Sequence, residues 1–232
     1  MKETIKEIIT RFLAATVLVL IAGAAFALET FGFSAIRWLA VVIIAGMIVE
    51  LLLAIIQQRA NGKEQRANNM QLPYLLFAIC YLLILVCAAY QVGARPFIIL
   101  LLLLIISAAD IGAWFFGQIF GGDKMWPALS PGKTWSGQIA GIVCGTVAAL
   151  LYGFVGTAIG GGHFDHGQFM PQLLWIGMSV ALLSQYGDLM ASSIKRKLGI
   201  KDYSKILPGH GGLIDRFDGW IFVLPIVWLV ML

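Results

Sequence analysis

Seven stretches of this chain run for about twenty residues with almost no charge: 12–28, 36–56, 73–91, 96–117, 136–158, 171–194 and 212–232. An α-helix needs about 20 such residues to cross the ~30 Å hydrocarbon layer of a membrane. The runs are continuous and show no period-2 alternation, which argues against a membrane β-barrel. Punctuation falls between them, as at Gln57-Gln58-Arg59, Gly93-Ala94-Arg95-Pro96, Gly121-Gly122-Asp123-Lys124 and Gly160-Gly161-Gly162-His163. Composition closes the alternatives: 60% of the 232 residues are hydrophobic and 12% are charged. A soluble domain carries about 25% charged residues, and a disordered one is more polar still. The fold class that follows is all-α, a polytopic integral membrane helical bundle of about seven transmembrane helices. The first run reads as a span and not a cleaved signal, because Glu29-Thr30-Phe31 offers no small-residue cleavage site.

The basic residues orient the bundle. Lys2, Lys6, Arg11, Arg59, Lys63, Arg66, Lys124, Lys133, Lys195, Arg196, Lys197, Lys201, Lys205 and Arg216 fall on one side of a seven-span arrangement. Only Arg37 and Arg95 fall on the other, which accounts for all 16. Lys and Arg accumulate in cytoplasmic loops, so the N-terminus is expected inside and the C-terminus outside. The net charge of +4 is then a topology signal, and no nucleic-acid partner is expected. Cys80, Cys87 and Cys144 lie in apolar runs without CxxC spacing and suggest neither a disulfide framework nor a zinc site.

Carboxylates within spans are costly and by default line a cavity or a site. Glu50, Asp110 and Asp188 are of this kind, and Asp215 and Asp218 open the last run. Asp110, Asp188, Asp215 and Asp218 all map near the cytoplasmic interface. Asp215 and Asp218 are three apart and Asp188 and Ser192 four apart, so in a helix each pair shares a face. Oxygen-rich clusters suit a hard cation such as Mg²⁺. Capping and favourable interaction with the helix dipole would also account for Asp215 and Asp218.

Two cytoplasmic loops carry phosphate chemistry. The segment 118–136 contains Ser130-Pro131-Gly132-Lys133-Thr134-Trp135, but it is no P-loop, because Pro127 stands where the first glycine is needed. Lys133 with its neighbouring hydroxyls could bind a polyphosphate; an interfacial Trp–Lys anchor is the alternative. In 192–218, six basic residues are interleaved with aspartates. A plain anionic-lipid patch explains the lysines but not the carboxylates. A catalyst joining two phosphate-bearing molecules needs both signs. Gly209, Gly211 and Gly212 let backbone approach anions, and His210 reads either as a phosphate donor or as a surface histidine.

The pattern Ser192, Ile194, Lys195-Arg196, Lys201-Asp202, Ser204, Leu207-Pro208, His210-Gly211-Gly212, Leu213, Asp215-Arg216-Phe217-Asp218 resembles the signature of the phosphatidate cytidylyltransferase (CDP-diacylglycerol synthase) family. Asp110-Ile111-Gly112-Ala113, Phe116-Gly117, Ser130 to Trp135 and Gly187-Asp188-Leu189 are similar to it as well. The resemblance covers roughly 105–220, so the chain divides into 1–104, N-terminal transmembrane helices, and 105–232, a catalytic transmembrane region with two substrate-binding loops. Gly219 stands where the family more usually has serine, and the chain is shorter than many members.

The resemblance implies transfer of a cytidylyl group from CTP to phosphatidic acid at the cytoplasmic face of a bacterial-type inner membrane, among membrane lipids. It implies Mg²⁺, one or two ions, held by Asp188, Asp215 and Asp218, with Asp110 as an additional candidate. A companion monovalent cation and a homodimer are left open. Lys201 and Arg216 join the three aspartates as catalytic candidates. Ser130, Lys133, Thr134, Ser192, Lys195, Arg196, Asp202, His210, Gly211 and Gly212 are the substrate-binding candidates. Two rivals stand beside this reading: another CTP-dependent lipid enzyme resembling a polyprenol kinase, and an ion-coupled transporter using Asp110 and Asp188. The D-G-x-x-A-R motif of CDP-alcohol phosphotransferases is absent from the sequence.

Overall fold

The computed structural model describes residues 16–17, 20–29, 31–60, 81, 84–158, 166–204, 206 and 211–231. Its principal elements are α1 (Ala35–Ala60), α2 (Pro96–Phe120), β1 (Lys124–Trp126), β2 (Ser130–Thr134), α3 (Trp135–Ala158), α4 (His166–Leu198), α5 (Ile214–Phe217) and α6 (Trp220–Met231). A shorter apolar helix runs over Leu20–Glu29, and residues 84–92 are helical. The chain divides into two compact units, Phe97–Ser192 and Met1–Pro96 with Ser193–Leu232.

Among the described residues, four helices are long and apolar enough to cross a membrane: Ala35–Gln57, Pro96–Phe120, Trp135–Gly156 and Met170–Leu198. They correspond to the second, fourth, fifth and sixth expected spans. Most of 73–91 and the first part of 12–28 lie outside the described residues. The expected span 212–232 is interrupted: the one-turn helix α5 ends at Phe217, and α6 restarts at Trp220. Large apolar side chains face outward, as on a lipid-solvated surface; Trp38, Phe97, Trp114, Trp175 and Val230 are all more than half exposed.

Small residues hold the unit Phe97–Ser192 together. Gly137, Gly141 and Gly145 recur every fourth residue along one flank of α3. A Cβ at Gly137 would lie 2.6 Å from the Ala113 carbonyl oxygen of α2. At Gly145 it would lie 2.7 Å from the Ala181 Cβ of α4, and at Gly177 of α4 it would lie 2.8 Å from the Thr146 Cα of α3. Without water to drive helices together, close backbone approach of this kind is what packs them in lipid. Gly177→Val is therefore expected to lower the detergent melting temperature by several degrees, because a backbone atom cannot swing aside and overpacking costs about 1–3 kcal/mol. Gly23→Val, at a position with no described atom within 4 Å, should leave melting almost unchanged. Equal shifts for the two variants would dismiss this account of the seam.

In the other unit, α1 starts where the Glu29 carboxylate accepts the Ile36 N–H at 3.2 Å. Its flank at Gly46 meets Leu213, whose Cδ1 would lie 2.7 Å from a Cβ there. The Tyr81 hydroxyl donates to the Ile221 carbonyl at 2.7 Å and ties α6 to the helical residues before α2.

Candidate active site

Within Phe97–Ser192, a hairpin delivers a cation to a carboxylate. The segment expected as a loop is a two-stranded antiparallel ribbon, with Lys124 opposite Thr134 and Trp126 opposite Ser130. Gly121 and Gly122, at φ +57° and +98°, turn the chain out of α2, and Met125 is buried between exposed Lys124 and Trp126. The Thr134 hydroxyl caps α3 by accepting the Gly137 N–H at 3.1 Å. The Ser136 hydroxyl donates to the Gly121 carbonyl. The ribbon thus leaves one helix and enters the next with both ends tied.

Lys133 reaches from this ribbon to α4. Its Nζ lies 2.6 Å from Asp188 Oδ2 and donates to the Gln185 carbonyl at 3.3 Å. Asp188 Oδ1 accepts from the Ser192 hydroxyl one turn on, at 3.4 Å, as their spacing of four implies. Gln185 is itself held by a 3.4 Å bond from its side-chain amide to the Gln138 carbonyl. Asp110, on α2, lies within coulombic reach of both Asp188 and Lys133. Four predicted residues (Asp110, Lys133, Asp188 and Ser192) therefore gather in one unit. Ser130 sits half-buried on the ribbon, and Thr134 is buried with its hydroxyl occupied by the cap.

In the other unit the signature segment folds around Asp215. The helix α4 closes at Gly199, φ +72°, with the Ile200 N–H returning to the Lys195 carbonyl at 3.0 Å. In that last turn Lys195 places its Nζ 2.8 Å from Asp215 Oδ1. Asp215 Oδ2 accepts the N–H groups of Tyr203 and Gly212, both at 3.0 Å. Asp215 is not the N-cap of α5: Leu213 holds that position and makes no side-chain cap bond. Asp218 keeps helical dihedrals at the end of α5, and its Oδ1 accepts the Gly219 N–H at 2.8 Å. Arg196, Lys201, Asp202 and Arg216 are exposed. His210 lies outside the described residues.

Sequence reasoning missed Tyr203 in this cluster and left Glu50, which it named as a carboxylate within a span, without a role. Tyr203 is buried, and its phenol is pushed up, first by burial and then by the carboxylates of Asp215, Asp218 and Glu50. It stays an uncharged phenol at neutral pH. Glu50, on α1, is 1% exposed. It accepts the Leu213 N–H at 3.1 Å, the Ile214 N–H at 2.8 Å and the Ser204 hydroxyl. A cavity of about 440 Å³ opens beside it, lined by Gln57, Asp202, Tyr203 and Ser204 among others. The only signal for Glu50 in the sequence is its place inside an apolar run.

Mg²⁺ keeps several waters and takes one or two carboxylates plus phosphate oxygens. Each unit offers such a set: Asp110 and Asp188 beside Ser192 in one, Asp215 and Asp218 in the other. Among the described residues no three His, Cys, Asp or Glu side chains gather into a ready-made cage. The donors fit an ion that brings phosphate oxygens with it, not one enclosed by protein alone.

All of residues 1–232 match the profile of the cytidylyltransferase family. The chain belongs to that family. Over 172 residues it is 36% identical to the phosphatidate cytidylyltransferase of Staphylococcus aureus (strain COL), covering 73% of this chain and 62% of that one. It is 33% identical over 170 residues to the Staphylococcus saprophyticus protein of the same name, with the same coverage. With the Staphylococcus epidermidis protein of that name it shares 31% over 197 residues, or 84% of this chain and 72% of the relative. The chain thus spans less than two thirds of the length of the first two. A cytidylyltransferase with these apolar helices is an integral membrane protein, and its interleaved lysines and aspartates become the natural place to look for substrate chemistry.

Proposed function

We propose that this chain transfers a cytidylyl group from CTP to phosphatidic acid, giving CDP-diacylglycerol and pyrophosphate for phospholipid synthesis. The observation that carries the reading is that, among the described residues, lysine pairs with aspartate in each unit, Lys133 with Asp188 and Lys195 with Asp215, in a chain of the cytidylyltransferase family. Both reactants are phosphate anions. The phosphomonoester of phosphatidate is largely ionised at neutral pH, with a second pKa of about 6, so its attack on the α-phosphorus needs no general base. What it needs is relief from repulsion and alignment.

Lys133, Lys195, Arg196, Lys201 and Arg216 supply the positive charge for phosphates, and Gly211 allows their approach to backbone, whereas the space beside Gly212 is taken by the Glu50 carboxylate. Ser130, Ser192, Asp202 and His210 complete the substrate-binding set. Asp188 with Asp110, and Asp215 with Asp218, are the carboxylates offered to Mg²⁺, which when bound would draw negative charge from the phosphate oxygens. In this reading these residues lie at the cytoplasmic face of a seven-span bundle with its N-terminus inside, which the distribution of Lys and Arg along the sequence supports.

The test is to incubate the purified protein in detergent with phosphatidate, Mg²⁺ and CTP labelled in the cytosine ring. Lipid-extractable label should appear together with an equal amount of pyrophosphate, vanish with EDTA and return with excess Mg²⁺. Transfer of only the γ-phosphate to a polyprenol, with cytosine label left in water, would establish the kinase reading instead.

A further inference from the structure

We propose that Glu50 is a positioning residue for the signature turn, holding Gly212 to Ile214 so that Asp215, Arg216 and Asp218 present their side chains correctly. This rests on the cytidylyltransferase reading of that segment, but the contact itself does not. Glu50 is an acceptor-only group buried in α1, and its carboxylate is engaged by three donors, two of them the backbone N–H groups of Leu213 and Ile214. Those N–H groups open α5, where no side-chain cap is supplied locally; a helix start needs its free N–H groups satisfied. Glu50 supplies that cap from 164 residues away in sequence.

The second glycine of the turn is explained by the same contact. A Cβ at Gly212 would fall on the Glu50 carboxylate. The first, Gly211, is a glycine for a different reason, its φ of +84°. Glu50 also takes the Ser204 hydroxyl, while Asp215 takes the Tyr203 N–H. Two carboxylates thereby stitch the strip 203–204 to the turn 211–215, and Glu50 is the one with no ion-pair partner among the described residues. Displacement of a catalytic group by about 1 Å can cost 10²-fold in rate, so the effect should appear in kcat.

The experiment compares full-length wild type, Glu50→Gln, Glu50→Asp, Gly212→Ala and the Glu50→Asp/Gly212→Ala double variant. Gln keeps the shape but turns an NH₂ toward a backbone N–H, so Glu50→Gln should lose about 30-fold or more in kcat, with KM for CTP changed less than about threefold. Gly212→Ala should lose a similar factor. The shorter Asp makes room for the alanine methyl, so the double variant should be at least about tenfold more active than the product of the single losses. Hydrogen exchange of the peptide covering 211–217 gives a readout that needs no substrate, and its amides should exchange at least about tenfold faster in Glu50→Gln. Multiplicative losses, or unchanged exchange with wild-type kcat in Glu50→Gln, would overturn the assignment. Wild-type protein that forms no lipid-linked cytidine, yet shows the exchange difference, would sink the enzymatic reading and leave the cap in place.

Discussion

Asp215→Asn should reduce the proposed formation of CDP-diacylglycerol about a thousand-fold or more and loosen the turn around residue 215. Both oxygens of Asp215 are acceptors: Oδ1 takes Lys195, and Oδ2 takes the N–H groups of Tyr203 and Gly212. An asparagine offers one oxygen and one NH₂. Whichever way the amide is turned, either the Lys195 ammonium or the two backbone donors meets another donor. The pair is also poorly solvated, with side chains 15% and 8% exposed. Removing one partner of a buried pair costs about 3–5 kcal/mol, chiefly because the other charge is stranded. Activity and local order should therefore fall together, read as turnover and as faster proteolysis within 199–215, with membrane insertion intact. Near-normal turnover would remove Asp215 from the machinery.

Asp188→Asn should behave differently, and the contrast is informative. The Lys133–Asp188 pair is more open, with side chains 24% and 36% exposed. Pairs of that exposure contribute about 1 kcal/mol or less, so the melting temperature should move by no more than about two degrees. Turnover should fall about 10²–10³-fold, and the Mg²⁺ concentration for half-maximal rate should rise about tenfold, because a carboxylate offered to the ion is gone. Lys133→Met should also lower turnover without disturbing stability, but should raise KM for CTP and leave the Mg²⁺ requirement nearly unchanged. An identical Mg²⁺ profile for Asp188→Asn and wild type would take Asp188 out of the proposed metal site.

The long helices were legible because membrane spans depend on runs of apolar residues, which need no knowledge of neighbours. The Asp188–Ser192 hydrogen bond was legible too, since a helix fixes what lies four residues on. The ribbon at Lys124–Thr134 was not: its strands are three and five residues long, and Pro127, Pro131 and Gly132 mask any alternation. Capping stayed open as an alternative for Asp215 because nothing in its local sequence announces Tyr203 or Gly212 as donors. Glu50 was visible as a costly buried acid, but its role depends on partners 154 to 164 residues away. The four-residue glycine spacing of α3 was written in the sequence, and only the packing shows which helices it admits.

The two lysine–aspartate pairs have a consequence for the energetics of turnover. Each brings its own counter-ion to a region where isolated charge is expensive, so assembling these groups near the bilayer leaves neither member bare. In the proposed reaction an arriving phosphate would take a carboxylate's place on its ammonium, and that carboxylate would be open to a divalent ion. The proposed reaction would then proceed by ion exchange: substrate entry would swap partners instead of creating charge, and the departing pyrophosphate would restore the original pairing.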